Sequence, residues 1–224
     1  MTRTMLLALI LAVPAAAAPL PDAERERLAV AHTFGTWTDP TGENAFRADG
    51  SQVRVKLPGA PYRVGHDTPS PQVVPRFVRR VEGDFTAVVR VDLPALADGV
   101  VANDRALAAG LVATDAAGAR IGIWRTERGE PGCRMQLGGG WTVPGKMAGG
   151  MGGSSTGGRA WVRLVRAGKA VRYGYRLDDG QWRDGEAHEL GWAGAVEVGV
   201  FAENTTGVRA EVTFDRYSLT QPKK

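Results

Sequence analysis

The chain has 224 residues, 43% of them hydrophobic and 23% charged, with 30 Gly and 13 Pro. That is enough apolar material for one packed domain, and too little Pro and Gly for a disordered or collagen-like chain. The formal charge of +4 is too small, and its arginines too interleaved with apolar residues, for a nucleic-acid-binding surface. Valine outnumbers isoleucine 24 to 3, and β-branched valine suits pleated, half-buried surfaces, so composition already favours an all-β protein. Cys133 is the single cysteine, which excludes an intrachain disulfide.

In chain order, the first segment reads as an address. Arg3 precedes the apolar run Met5–Val13, followed by Pro14 and Ala15–Ala18. This is the charged, apolar and small-residue order of a secretory signal peptide, with cleavage expected after Ala17. The run is too short to span a bilayer. The mature chain is therefore expected in a periplasm or outside the cell, with no membrane span. Residues 18–31 form a short charged lead with a helical stretch over Pro21–Ala31, and a single domain is expected over 32–220.

From there, period-two alternation predicts strands. Val53/Val55/Leu57 alternate with Arg54/Lys56, and Phe85 to Leu93 alternates apolar with polar. Leu111/Ala113 lead to a turn at Asp115–Gly118, and Ile121/Ile123 then alternate with Arg120/Gly122/Trp124. Cys133/Met135/Leu137, Val162/Leu164, Val171/Tyr173/Tyr175/Leu177, Val196/Val198/Val200 and Val208–Leu219 complete the set. One buried and one wet face per strand is the signature of antiparallel sheets packed as a sandwich, and no β-α alternation supports a parallel fold. The predicted fold is an all-β antiparallel jelly-roll sandwich. Asp179-Gly180 predicts a hairpin turn. Gly138–Gly158, with ten glycines, reads as a long loop carrying Trp141. Its spacing is not that of a phosphate-binding loop. Asn204-Thr205-Thr206 fits a glycosylation sequon, relevant in a eukaryotic host.

Several short motifs recur in a defined order: Phe34-Gly35-Thr36-Trp37-Thr38-Asp39-Pro40, Val81-Glu82-Gly83-Asp84-Phe85-Thr86 and Ala109-Gly110-Leu111-Val112. Trp161-Val162-Arg163-Leu164, Asp179-Gly180-Gln181-Trp182 and Val198-Gly199-Val200-Phe201-Ala202-Glu203-Asn204 follow. The set resembles the concanavalin A-like domains of the domain-of-unknown-function 1349 family ("regulation of enolase protein"-like). It is also similar to the lectin-like domain appended to some β-xylosidases. The resemblance covers about residues 32–220 and implies a sandwich of two curved sheets, with sugar binding a common role in the wider superfamily.

Catalytic chemistry is disfavoured by subtraction. No Glu-x-Asp pair lies on a predicted strand, as paired-carboxylate glycosidases of this class would place it. Glu82/Asp84 flank a turn glycine, and Glu186–Glu189 shows no strand alternation. His32, His66 and His188 lack zinc spacing. No cofactor is expected; calcium is the one metal with any support, from Asp/Gly turns that form no recognisable cage. Binding is the better-supported role. Alternation puts Arg120, Trp124, Arg134 and Gln136 on the wet faces of two successive strands, where an indole can stack on a sugar ring beside planar donors. Trp141, in the glycine-rich segment, is expected to approach the same surface. The expected partner is a carbohydrate or cell-surface glycoconjugate. The competing readings are a structural or protein-interaction module of the cell envelope and a carbohydrate-active enzyme with an unrecognised site.

Overall fold

The computed structural model describes residues 22–59, 74–96, 106–127, 135–143, 146–155, 159–177 and 180–222; for 22, 23, 135, 136 and 146–155 only the backbone is described. One helix, α1 (Asp22–Phe34), precedes the strands. These are β1 (Thr36–Thr38), β2 (Ala45–Asp49), β3 (Gln52–Leu57), β4 (Arg76–Val81), β5 (Phe85–Asp92), β6 (Leu107–Thr114) and β7 (Arg120–Glu127). Next come β8 (Met135–Val143), β9 (Lys146–Ser155), β10 (Arg159–Ala167), β11 (Ala170–Leu177), β12 (Arg183–Glu189), β13 (Val196–Asn204) and β14 (Ala210–Thr220). Sheet I runs β1-β4-β13-β6-β7-β8-β9 and sheet II runs β12-β11-β10-β5-β14-β3-β2. Every pairing is antiparallel. The chain is a β-sandwich. Among the described residues no helix is long and apolar enough to cross a membrane.

Alternation explains the core. The inner face of sheet II carries Val53, Val55, Ala87, Val89, Val91, Val162, Leu164 and Phe214, all essentially buried. Sheet I meets it with Leu107, Leu111, Ile121, Ile123, Val198 and Val200. Each of these side chains larger than alanine gains roughly 1.5–3 kcal/mol from leaving water. The same alternation carries two charges inward on β7. Arg125 and Glu127 follow Ile121 and Ile123 on the inner face, and both are 0% exposed. Arg125 Nη1 donates to the Arg159 carbonyl at 3.0 Å, tying the two sheets together.

Helix α1 belongs to the sandwich. Val30 and Phe34, one turn apart, are buried in the core. Gly35 ends the helix at φ 100, its N–H bonded to the Ala31 carbonyl at 3.1 Å. Only glycine takes that conformation without strain, and a Cβ there would press on the Val78 backbone. The Glu26 carboxylate then accepts the Ala48 N–H of β2 at 2.7 Å, pinning the helix to an edge strand.

Two sequence expectations change. The segment Gly138–Gly158 is not a long loop: β8 and β9 pair across it, with Leu137 opposite Gly153 and Gly139 opposite Met151. Glycine weakens a strand, but here missing side chains make room for neighbours. A Cβ on Gly139 would meet the Tyr173 ring at 2.9 Å. Likewise Glu186–Glu189 lies in β12, an edge strand with both faces largely exposed, so alternation had nothing to register. Cys133 and His66 lie outside the described residues, as does the expected signal segment.

Asn204 is structural. It is 8% exposed, and its Nδ2 donates to the carbonyls of Pro58 (3.0 Å) and Val208 (2.8 Å). Its Oδ1 accepts from the Thr206 N–H and hydroxyl. Both amide protons are therefore engaged, and glycosylation at the sequon would break the β13–β14 connection. Asn204→Ala is expected to cost about 2–3 kcal/mol in urea unfolding, because the Pro58 carbonyl and the Thr206 N–H lose their partner out of water while the Val208 carbonyl and the Thr206 hydroxyl keep only each other. A loss under about 0.5 kcal/mol would show the connection to be held by the backbone alone.

Candidate functional site

The outer face of sheet I is built from four rows of facing residues. One row runs Arg76, Phe201, Gly110, Trp124, Gly138 across five strands. The next runs Val78, Gly199, Val112, Gly122, Gly140. Flanking rows hold Glu203, Ala108, Thr126 and position 136 on one side, and Arg80, Glu197, Thr114, Arg120 and Thr142 on the other. The centre of this face is thus paved with glycine.

Trp124 lies across that floor. A Cβ on Gly138 would come within 2.8 Å of the indole Nε1 and 2.9 Å of Cε2. One on Gly122 would meet Cζ3 at 3.4 Å. The ring touches positions on its own strand and the next, so it lies along the sheet rather than standing out from it. One edge is held by Phe201, with ring centroids 6.4 Å apart and planes near perpendicular. Phe201, Val112 and Val74 form a small apolar cluster beneath and beside it. Trp124 itself remains half-buried.

Two polar elements flank the indole. Glu203 stands one row from Phe201, and burial pushes its carboxyl up to about 7. At neutral pH a substantial share of it carries a proton and can donate a hydrogen bond. On the other side Arg120, Arg76 and Glu197 line a cleft of about 310 Å³ against the turn at 115–118. Burial lowers the Arg76 guanidinium pKa and the Glu197 carboxylate opposes that shift.

Of the residues nominated from sequence, Arg120 and Trp124 share this face, four residues or about 13 Å apart along β7. Position 136 pairs with Thr126 in the neighbouring strand. Arg134 lies outside the described residues. Trp141 is on the wrong side: it faces Ile121 in the ladder, and so points to the inner face, away from Trp124. There it packs 5.1 Å from His188, which in turn stacks on Tyr173. Trp141 closes an open edge of the sandwich, because the segment that carries it is a paired strand rather than a loop. Burial lowers the His188 pKa, with Glu186 opposing, as expected of an imidazole held among aromatic rings.

Sequence reasoning missed Glu203 and Phe201. The signal was present, since Val198, Val200 and Ala202 point inward and so turn Phe201 and Glu203 outward. An outward phenylalanine marks a covered or ligand-facing sheet. A larger cleft of about 760 Å³ lies elsewhere, between α1 and the edge strands β1 and β2, over Trp37, Phe46 and Phe77. Its aromatic floor belongs to the core, and it lies apart from the Trp124 face. Among the described residues no group of three or more His, Cys, Asp or Glu is placed to hold a metal ion.

Glu203 makes a pH-dependent contribution whose sign is set by its raised pKa. Between about 4.5 and 7 the folded chain keeps a proton that the unfolded chain has lost, so stability falls as pH rises through that window and then levels. Glu203→Gln removes this dependence. The variant is expected to match the parent near pH 4 and to exceed it by about 2–3 kcal/mol at pH 8 in urea unfolding. Equal stability at pH 8 would mean that Glu203 is hydrated.

No family model and no curated protein matches the sequence. Solved structures do match in fold. A functionally unknown protein from Saccharomyces cerevisiae is 17% identical with a TM-score of 0.64, covering 84% of this chain and 97% of that one. A xylan β-1,4-xylosidase from Bacillus halodurans is 10% identical with a TM-score of 0.57, covering 83% of this chain and 39% of the enzyme. A GH43 protein from Bacillus licheniformis is 15% identical with a TM-score of 0.56, covering 82% and 36%. The chain thus spans well under half the length of those two larger proteins. At these identities the likeness is one of fold.

Proposed function

We propose that the chain is an exported, lectin-like module that binds a polysaccharide or glycoconjugate on the outer face of sheet I without chemical turnover. The observation that carries this reading is the Trp124 indole laid flat on a glycine floor and left half-exposed. A pyranose presents a C–H face to such a ring, and its hydroxyls meet donors set around the rim. Arg120 and Glu203 are polar groups on the same face as the ring. The ring is already positioned by Gly138, Gly122 and Phe201, so stacking costs little side-chain ordering.

The carboxylate geometry supports binding over hydrolysis. Glycosidases set two carboxyls about 5–9.5 Å apart across the scissile bond. Among the described residues, the strands of the outer face of sheet I offer Glu203 and Glu197, six residues apart on β13 and so about 20 Å from each other. One sugar bond does not reach both. Asp115, which lines a cleft with Glu197, has its carboxylate engaged by the Ala117 and Ala119 N–H groups of its own turn. The ordered motifs favour the domain-of-unknown-function 1349 family and the lectin-like domains appended to β-xylosidases, and the fold likeness to a xylosidase agrees with this. Export rests on the Arg3, Met5–Val13 and Ala15–Ala17 pattern, and predicts a mature N-terminus at Ala18.

A glycan array that includes neutral xylo- and gluco-oligosaccharides tests the reading. Retention of at least one glycan class, competed by the free oligosaccharide, is expected. No retention of any glycan by folded protein would reject it in favour of a protein-binding envelope module.

A further inference from the structure

Sheet II carries a second surface of different chemistry. One row across its outer face runs Asp215, Arg90, Trp161, Arg176 on four successive strands. The Arg176 guanidinium lies 4.6 Å from the centre of the Trp161 ring and 5.3 Å from that of Trp182. Arg163 lies 4.2 Å from the centre of the Trp182 ring and is held by both oxygens of Asp184. Two indoles and three guanidiniums therefore alternate along the sheet.

Their charges are unequally satisfied. Arg163 has Asp184 and Arg90 has Asp215. Arg176 has no carboxylate partner among the described residues, and its Nε is buried with no hydrogen-bond partner. Arg216 adds a fourth cation. It occupies the bulge where β14 slips register against β5, at φ 51, a conformation costly for any residue but glycine. Bulges re-aim side chains, and this one swings the Arg216 guanidinium to 6.0 Å from the Trp161 ring while leaving it 64% exposed. Among the described residues, four cations against two carboxylates leave a surplus of two positive charges around two aromatic faces, with Arg216 sharing Asp215 with Arg90 at 4.0 Å.

We propose that this face, centred on Arg176 between Trp161 and Trp182, binds an acidic polysaccharide built of uronic-acid residues. With the Arg176 Nε buried, the terminal Nη1/Nη2 edge of the guanidinium is the one that can meet a ligand, and two N–H groups on that edge match a carboxylate in bidentate geometry. The half-buried indoles beside it accept the C–H face of the same sugar. An acidic peptide fits less well. The strands that carry the row, β14, β5, β10 and β11, each have a neighbouring strand on both sides, so a peptide laid along the row gains no strand pairing. The site is separate from the Trp124 face, which lies on the other sheet.

Affinity electrophoresis of the full chain in gels containing polygalacturonate tests the proposal, with poly-L-glutamate as the acidic-peptide arm and neutral xylan as the probe of the Trp124 face. Retardation by polygalacturonate is expected to exceed that by poly-L-glutamate at least fivefold and to weaken with salt. R176Q is expected to lose it at least tenfold and R216Q, on an exposed side chain, three- to fivefold. K169Q removes the same charge from the β10–β11 turn, about 20 Å away, and is expected to leave retardation unchanged. Absent retardation, equal retardation by the two polyanions, or unchanged retardation of R216Q would each overturn the proposal. Binding of xylan alone would overturn it while leaving the Trp124 reading in place.

Discussion

Phe77→Ala is expected to lower stability by about 3–5 kcal/mol, the range for deleting a fully buried ring. Phe77 is 1% exposed on β4 and packs against three other rings. Trp37 of β1 lies 4.7 Å away, Phe46 of β2 4.9 Å and Phe34 of α1 5.8 Å, centroid to centroid. These partners come from sheet I, sheet II and the helix, so one side chain joins all three layers at an edge where neither sheet closes on the other. The alanine variant would leave a cavity bounded by rings that other contacts hold in place, which limits collapse. Urea unfolding measures the loss, and amide exchange in α1 provides the local readout. Protection of residues 28–34 is expected to fall with global stability. A loss below about 1 kcal/mol with α1 still protected would mean that the cluster merely fills space around an independently held helix.

The second large effect concerns binding. Trp124→Ala is expected to reduce affinity for any glycan retained by sheet I by at least tenfold, since the stacking surface goes with the ring. Removal also exposes one edge of Phe201 and uncovers Gly138 and Gly122. A stability cost of about 1–2 kcal/mol is therefore expected as well, because Trp124 is half-buried rather than free in solvent. Trp124→Phe separates the two consequences: it keeps a ring over the glycine floor and is expected to recover most of the stability and part of the affinity. Isothermal titration with the best glycan, run beside urea unfolding, gives both numbers. Unchanged affinity in the alanine variant would place the sugar elsewhere, whatever the stability loss.

These two residues also show which properties were local. Period-two alternation assigned the inward faces of β3, β5, β7, β10 and β13 without reference to neighbours, because strand side chains alternate and only one face of each sheet is packed. Trp124 and Arg120 followed from that rule, and so did the sandwich itself. The rule failed where its premise failed. On β12 both faces are largely exposed, so no pattern of burial was written into the residues. On β8 and β9 glycine carried no polarity, and a strand pair looked like a loop.

Pairing, not pattern, decided the rest. Trp141 sits opposite Ile121, and that register alone turns it inward to His188. Glu203 acquires its raised pKa from burial on the outer face, which involves residues far away in the chain. Arg166, three residues after Arg163, reads as part of one basic cluster. Alternation with Val162 and Leu164 turns it to the inner face, and the fold supplies its partners there, the carbonyls of Trp192 and Gly194. Alternation is a property of each strand, and so the sequence by itself determined the layers and the core. Which side chains meet across strands depends on register and on which segments cover a face, and those are set by contacts between residues distant in sequence. Only the tertiary structure could therefore separate the Trp124 floor from the Arg176 row and place them on opposite sheets.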